Sequence, residues 1–158
     1  MDFGLVIATW LHTVAFVIAW GYYGILARFV LPALKETAAG PVLGTSLAAI
    51  ERRAMPFVLL TVVLFIATGS YLLFTDPHYE GLGNFGSTWA TLMLVKHVLV
   101  VALVGVGVTV HFLVEGVELA ADDAARRAAL RPLGLAAEAA TVLGAVIVLL
   151  TAAAQASV

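Results

Sequence analysis

"LVKHVLVVALVGVGVTVH", residues 94–111, decides the fold. Apart from two histidines, one lysine, one threonine and two glycines it is aliphatic, and the apolar run extends on both sides to residues 88–114. A helix that crosses a bilayer needs roughly 20 mostly apolar residues, so this stretch reads as a membrane span. Three more runs meet the same requirement, at residues 3–31, 54–74 and 133–154. Composition agrees: 63% of the 158 residues are hydrophobic and 11% are charged, against about 25% charged in soluble domains. The first run has no basic start, its one early charge being Asp2, and is expected to be a retained span, not a cleaved leader.

The segments between the runs carry turn chemistry. "LPALKETAAGPVLGTS" (31–46) and "TDPHYEGLGNFGST" (75–88) are rich in Gly, Pro, Asp and Asn. "EGVELAADDAARRAALRP" (115–132) alternates acids and bases among alanines. Pro56 is expected in the first turn of the second span, where a missing N–H is tolerated. Four spans joined by short connections predict an all-α fold, an integral membrane antiparallel four-helix bundle forming one membrane domain over residues 1–158. Arg28, Lys35, Arg52 and Arg53 flank the first connection, and Arg126, Arg127 and Arg131 the third; the second connection and the C-terminus have no Lys or Arg. The positive-inside rule makes the basic side cytoplasmic, with both termini outside, as expected for a multi-pass protein of the cell inner membrane.

Several chemistries are excluded or unsupported. The chain has no cysteine, which removes disulfides, iron–sulfur clusters and thiolate metal sites. No basic stripe points to nucleic acid, so the lipid bilayer is the evident partner. No metalloprotease, nucleotide-binding or nucleophile-elbow motif is present.

Ionisable residues inside spans are costly when unpaired and therefore point to function. His12 lies nine residues after Phe3 and His97 nine residues after Thr88. Their spans run in the same direction, so both imidazoles fall ~13 Å below the outer helix ends. Two neutral imidazoles facing across a bundle suit the axial positions of haem iron. Ala8, Thr9, Ala15 and Ala19 share the helical face of His12. Small residues there leave space for a porphyrin, or simply permit close helix contact. Polar contact between helices, a proton path or another metal are the alternatives to haem.

His111 lies fourteen residues after His97, only about 40° away around the helix and ~21 Å along it. That spacing is found in two-haem b-type cytochromes, but no other span offers a histidine at the inner depth. One haem b is expected, and His111 is a weaker metal candidate that more readily joins Glu115 and Glu138 in a polar cluster. Lys96 points away from His97. A haem propionate is its expected counter-charge, with snorkelling to the outer surface as the alternative. The tryptophans and tyrosines mostly fall in aromatic-belt positions, with Trp20 and Tyr23 deep enough to wall a pocket. His78 and Tyr79, in the outer loop, are expected to be solvated.

"TWLHTVAFVIAWGYYGILARFVLPAL" (9–34), "ERRAMPFVLLTVVLFIATGSYLLFTDP" (51–77) and "WATLMLVKHVLV" (89–100) resemble the first three spans of the superfamily that contains the copper-resistance D proteins and the HemJ-type protoporphyrinogen oxidases. The resemblance implies that His12 is a haem-associated histidine and Lys96 a functional lysine. It further implies haem b with an oxidoreductase activity, the conversion of protoporphyrinogen to protoporphyrin. For the copper-resistance relatives it implies copper passage, for which Met1, Met55 and Met93 are the only soft ligands. His97 has no counterpart in the pattern. The expected function is bis-histidine b-type haem binding for electron transport, with a quinol or a redox protein as partner. Protoporphyrinogen oxidation, copper transport and a structural subunit of a membrane complex are the alternatives.

Overall fold

The computed structural model describes residues 2–38, 40–79, 81 and 86–157. Four helices account for nearly all of them: α1 (Phe3–Thr37), α2 (Pro41–Thr75), α3 (Thr88–Glu118) and α4 (Asp123–Gln155). Each is long and apolar enough to cross a membrane, and the chain is a multi-pass membrane protein of four-helix bundle type. Sequential helices pair most extensively, α1 with α2 and α3 with α4, while α2–α3 and α4–α1 contacts close the ring. α1 and α3 therefore face each other across the bundle.

Helix starts follow local chemistry. The Asp2 carboxylate accepts from the N–H of Gly4 and Leu5, Ser87 Oγ from Ala90, and the Asp122 carboxylate from Ala125, each satisfying an orphan amide. α2 starts differently: Gly40 takes φ +59°, a region that favours glycine, and Pro41 follows where its absent N–H is harmless. Within α1 a π turn spans Leu26–Val30, closed by Leu31 N–H to the Leu26 carbonyl. Pro32 comes next and has no N–H to return to Arg28, so the wider turn ahead of it absorbs the missing bond.

Two helices run on past the spans read from hydropathy: α2 begins at Pro41, ahead of the span at 54–74, and α4 at Asp123, ahead of that at 133–154. Hydropathy marks the lipid-embedded part of a helix, whereas the helix continues past the membrane as long as its residues favour it. Pro56 accordingly lies inside α2, not in its first turn, and Pro132 lies inside α4.

The core gathers at the basic end. Leu26 and Leu31 of α1, Leu43 and Leu47 of α2, Val110, Val114 and Val117 of α3, and Leu130, Leu133 and Ala137 of α4 form one buried cluster. Spacings of three and four residues on α2, α3 and α4, and of five across the π turn of α1, put each set on one helix face. The other end is sparsely packed. On α3 no residue between Trp89 and Gly107 is buried, and on α2 none beyond Thr61. Arg28 closes the α1–α4 seam with a two-point pair to Glu138, Nε to Oε1 at 2.9 Å and Nη2 to Oε2 at 3.0 Å.

Large side chains of α1 lock into glycine notches. The Trp20 indole lies on Gly144 of α4 and its Nε1–H donates to the Thr141 carbonyl at 2.9 Å. The Tyr23 hydroxyl lies against Gly107 of α3. A Cβ at Gly144 would overlap the indole, whereas one at Gly116 would meet nothing within 4 Å. Gly144→Ala is therefore expected to destabilise by about 1–3 kcal/mol through overpacking, read as a lower thermal midpoint in detergent. Gly116→Ala, gaining helix propensity, should hold or raise it.

Candidate functional site

His12 is oriented by α2. Its Nδ1 lies 3.1 Å from the Phe65 carbonyl oxygen and 3.1 Å from Thr68 Oγ1. The Thr68 hydroxyl donates its own proton to the Leu64 carbonyl at 2.6 Å, so it too accepts from the imidazole. Both partners being acceptors, Nδ1 carries the proton and Nε2 keeps its lone pair. The ring stacks on Phe65 with centroids 4.1 Å apart and planes at 18°. Gly69 supplies the space beneath, since a Cβ there would stand 2.8 Å from His12 Cε1. Four neighbouring groups on one helix thus fix a half-buried imidazole.

His97 is oriented by its own helix. Its Nδ1 donates to the Met93 carbonyl, one turn back, at 2.6 Å, which again leaves Nε2 with the lone pair. The ring is exposed on the loosely packed part of α3. His97 and Lys96 both lie within electrostatic reach of His12, although they sit on the opposite helix of the ring. Lys96 is half-buried, and the Asp76 carboxylate at the end of α2 acts on it electrostatically without a direct ion pair. Asp76 Oδ1 also accepts from the His78 backbone N–H at 2.9 Å and contacts His78 Nδ1 at 3.0 Å. His78 is exposed, as expected, and its ring lies near Trp89.

Of the small residues, Ala8 and Ala15 are buried and Ala19 is half-buried. The face that carries His12 is thus turned into the bundle, with protein atoms already packed against Ala15. Trp20 and Tyr23 do not line the surroundings of His12, because their polar ends reach α4 and α3 further along the bundle.

His111 has a partner that its sequence neighbours do not suggest. Its Nδ1 meets Glu51 Oε1 at 2.6 Å. Glu138 is taken by Arg28 and Glu115 is exposed, so the expected cluster of His111 with those two acids does not form. The extended start of α2 is the cause: with its first turn at Pro41, the helix carries Glu51 on the same buried face as Leu43, Leu47 and Ala48. The signal was present as Gly40 followed by Pro41, a helix-start pair. Glu51 also interacts electrostatically with Tyr22 and Tyr23. The Tyr22 hydroxyl is buried without a hydrogen-bond partner among the described residues.

Among the described residues no three His, Asp or Glu side chains converge into a cage for a metal ion. The available donors are two imidazoles, each with Nδ1–H committed to a carbonyl. Such outer partners set the orientation and raise the basicity of a ligand histidine. Two imidazoles are the donor type that can ligate haem iron, whose porphyrin supplies the remaining ligands. No protein-family model, curated protein or solved structure matches the chain.

The Glu51 pair predicts a stability effect. His111→Leu leaves a carboxylate that is 6% exposed without its partner, a loss of about 1–3 kcal/mol, read from the thermal midpoint in detergent. Adding Glu51→Leu should recover most of that loss, since replacing both partners removes the stranded charge. Equal midpoints for His111→Leu and the parent protein would contradict the pairing.

Proposed function

We propose that the protein binds one haem b in the loosely packed half of the bundle, with His12 and His97 as axial ligands, and serves membrane electron transfer. One observation supports this most: two imidazoles, on α1 and α3, each have Nδ1–H held by a carbonyl, which leaves each Nε2 with its lone pair. Bound haem supplies a one-electron couple. The Phe65 carbonyl, Thr68 hydroxyl and Phe65 ring keep the His12 plane fixed, which limits reorganisation when charge changes. Lys96, whose charge acts on His12, would serve as the cation for a porphyrin carboxylate. Held by both His12 and His97, the iron would have no position left for a substrate, which favours electron relay over oxygen or substrate chemistry. A quinol or a membrane redox protein is the corresponding donor or acceptor. Seven of the eight cations flank the first and third connections, and with that end cytoplasmic by the positive-inside rule the haem would sit toward the outer face of the bacterial cytoplasmic membrane.

A second reading has its own support. Lys96 is half-buried and within electrostatic reach of His12, and in the HemJ-type resemblance that lysine is functional. There the porphyrin would be the substrate, protoporphyrinogen, and Lys96 would be essential for activity.

Absorption spectra of protein purified after haem-supplemented expression separate the readings. The electron-transfer reading expects a sharp Soret band and a reduced α-band, both abolished by His12→Ala and by His97→Ala and both retained in Lys96→Gln. A colourless protein would sink it. Rescue of a strain lacking protoporphyrinogen oxidation, lost on Lys96→Gln, would favour the enzyme instead.

A further inference from the structure

At the basic end a cavity of about 650 Å³ opens between the end of α1, the start of α2 and the first turns of α4. Lys35, Arg126, Arg127 and Arg131 line it, with Asp123 as the one carboxylate among the described residues. Arg126 is 6% exposed and tethered, Nη1 to Asp123 Oδ1 at 2.7 Å and Nη2 to the Ala120 carbonyl at 3.0 Å, while its Nε is buried without a partner among the described residues. The Asp123 charge is thereby used. Lys35, Arg127 and Arg131 are exposed and form no ion pair among the described residues, in contrast to Arg28 and Arg52, which pair with Glu138 and Glu118. Uncompensated positive charge therefore converges on this cavity. α2 adds to it, since its N-terminus points here with no side-chain cap.

One wall is apolar. Leu43 and Leu130 are buried at the cavity, and Leu135 is 64% exposed on the face of α4 that would meet lipid. A basic rim that passes into an apolar helix surface at the membrane boundary matches a molecule with a phosphate ester at one end and hydrocarbon at the other. We infer that this cavity is a binding site for a phosphate ester, and that its source is the headgroup of an anionic phospholipid. Three unpaired cations favour a doubly charged phosphate over the single charge of a phosphodiester. Arg127 and Arg131, one turn apart on α4, would grip the phosphate oxygens with Lys35 from the opposite wall. The inference does not depend on the haem proposal, because the cavity lies at the other end of the bundle.

Native mass spectrometry of the full chain in detergent tests it, with phosphatidic acid, phosphatidylcholine and inorganic phosphate titrated separately. Phosphatidic acid should be retained in preference to phosphatidylcholine. Removing two interfacial cations in Arg127→Gln/Arg131→Gln should weaken that retention roughly 30-fold. Arg53→Gln, an exposed cation outside the cavity, should leave it unchanged. All three positions are exposed, and circular dichroism checks that each variant stays helical. If inorganic phosphate binds with the same Arg127/Arg131 dependence and no lipid is retained, the phosphate ester site stands and its source is soluble. Equal retention of both lipids, or phosphatidic acid binding that survives the double substitution, would overturn the inference.

Discussion

The fit of α1 into notches on the other three helices is the interaction on which the rest of the structure depends. His12 lies on Gly69 of α2, Trp20 on Gly144 of α4 and Tyr23 on Gly107 of α3. In lipid no hydrophobic force draws helices together, so close van der Waals contact and satisfied hydrogen bonds must do so. Each notch supplies the first, and the Trp20–Thr141 and His12–Phe65 bonds supply the second. The three notches also fix the rotation of α1 about its axis. They therefore determine where His12 sits relative to α3.

The two ends of the bundle divide the work. The buried cluster of leucines and valines lies at the basic end, where Arg28–Glu138, Arg52–Glu118 and His111–Glu51 tie helices together. Such pairs contribute little stability when exposed, but the His111–Glu51 pair has a buried acid and sets the α2–α3 register. The opposite end has few buried residues and holds the intramembrane lysine and two histidines with free Nε2 atoms. Tight packing at one end lets the other stay open without loss of alignment. That is the arrangement a planar ligand between facing helices would require.

Much of this was legible in the sequence, for physical reasons that also explain what was not. Asp2 and Ser87 are strong N-caps immediately ahead of apolar runs, so the starts at Phe3 and Thr88 and the equal offsets of His12 and His97 could be read directly. Hydropathy reports the part of a helix in lipid and ignores its wet extension. The stretches of α2 and α4 ahead of residues 54 and 133 are therefore not marked by the apolar runs, and Glu51, the buried partner of His111, was not singled out. Periodicity placed Ala8 and Ala15 beside His12 but could not say whether protein or ligand fills the space next to them. Long-range partners such as Phe65, Thr68 and Gly69 depend on helix rotation, which no single-span pattern encodes.

Electron paramagnetic resonance of the purified, oxidised protein tests the central claim most directly, because it reads the axial ligands of iron. Ligation by two imidazoles predicts a low-spin ferric signal that turns high-spin or vanishes on either His12→Ala or His97→Ala. Absence of an iron signal after haem-supplemented expression, or a low-spin signal indifferent to both substitutions, would contradict it.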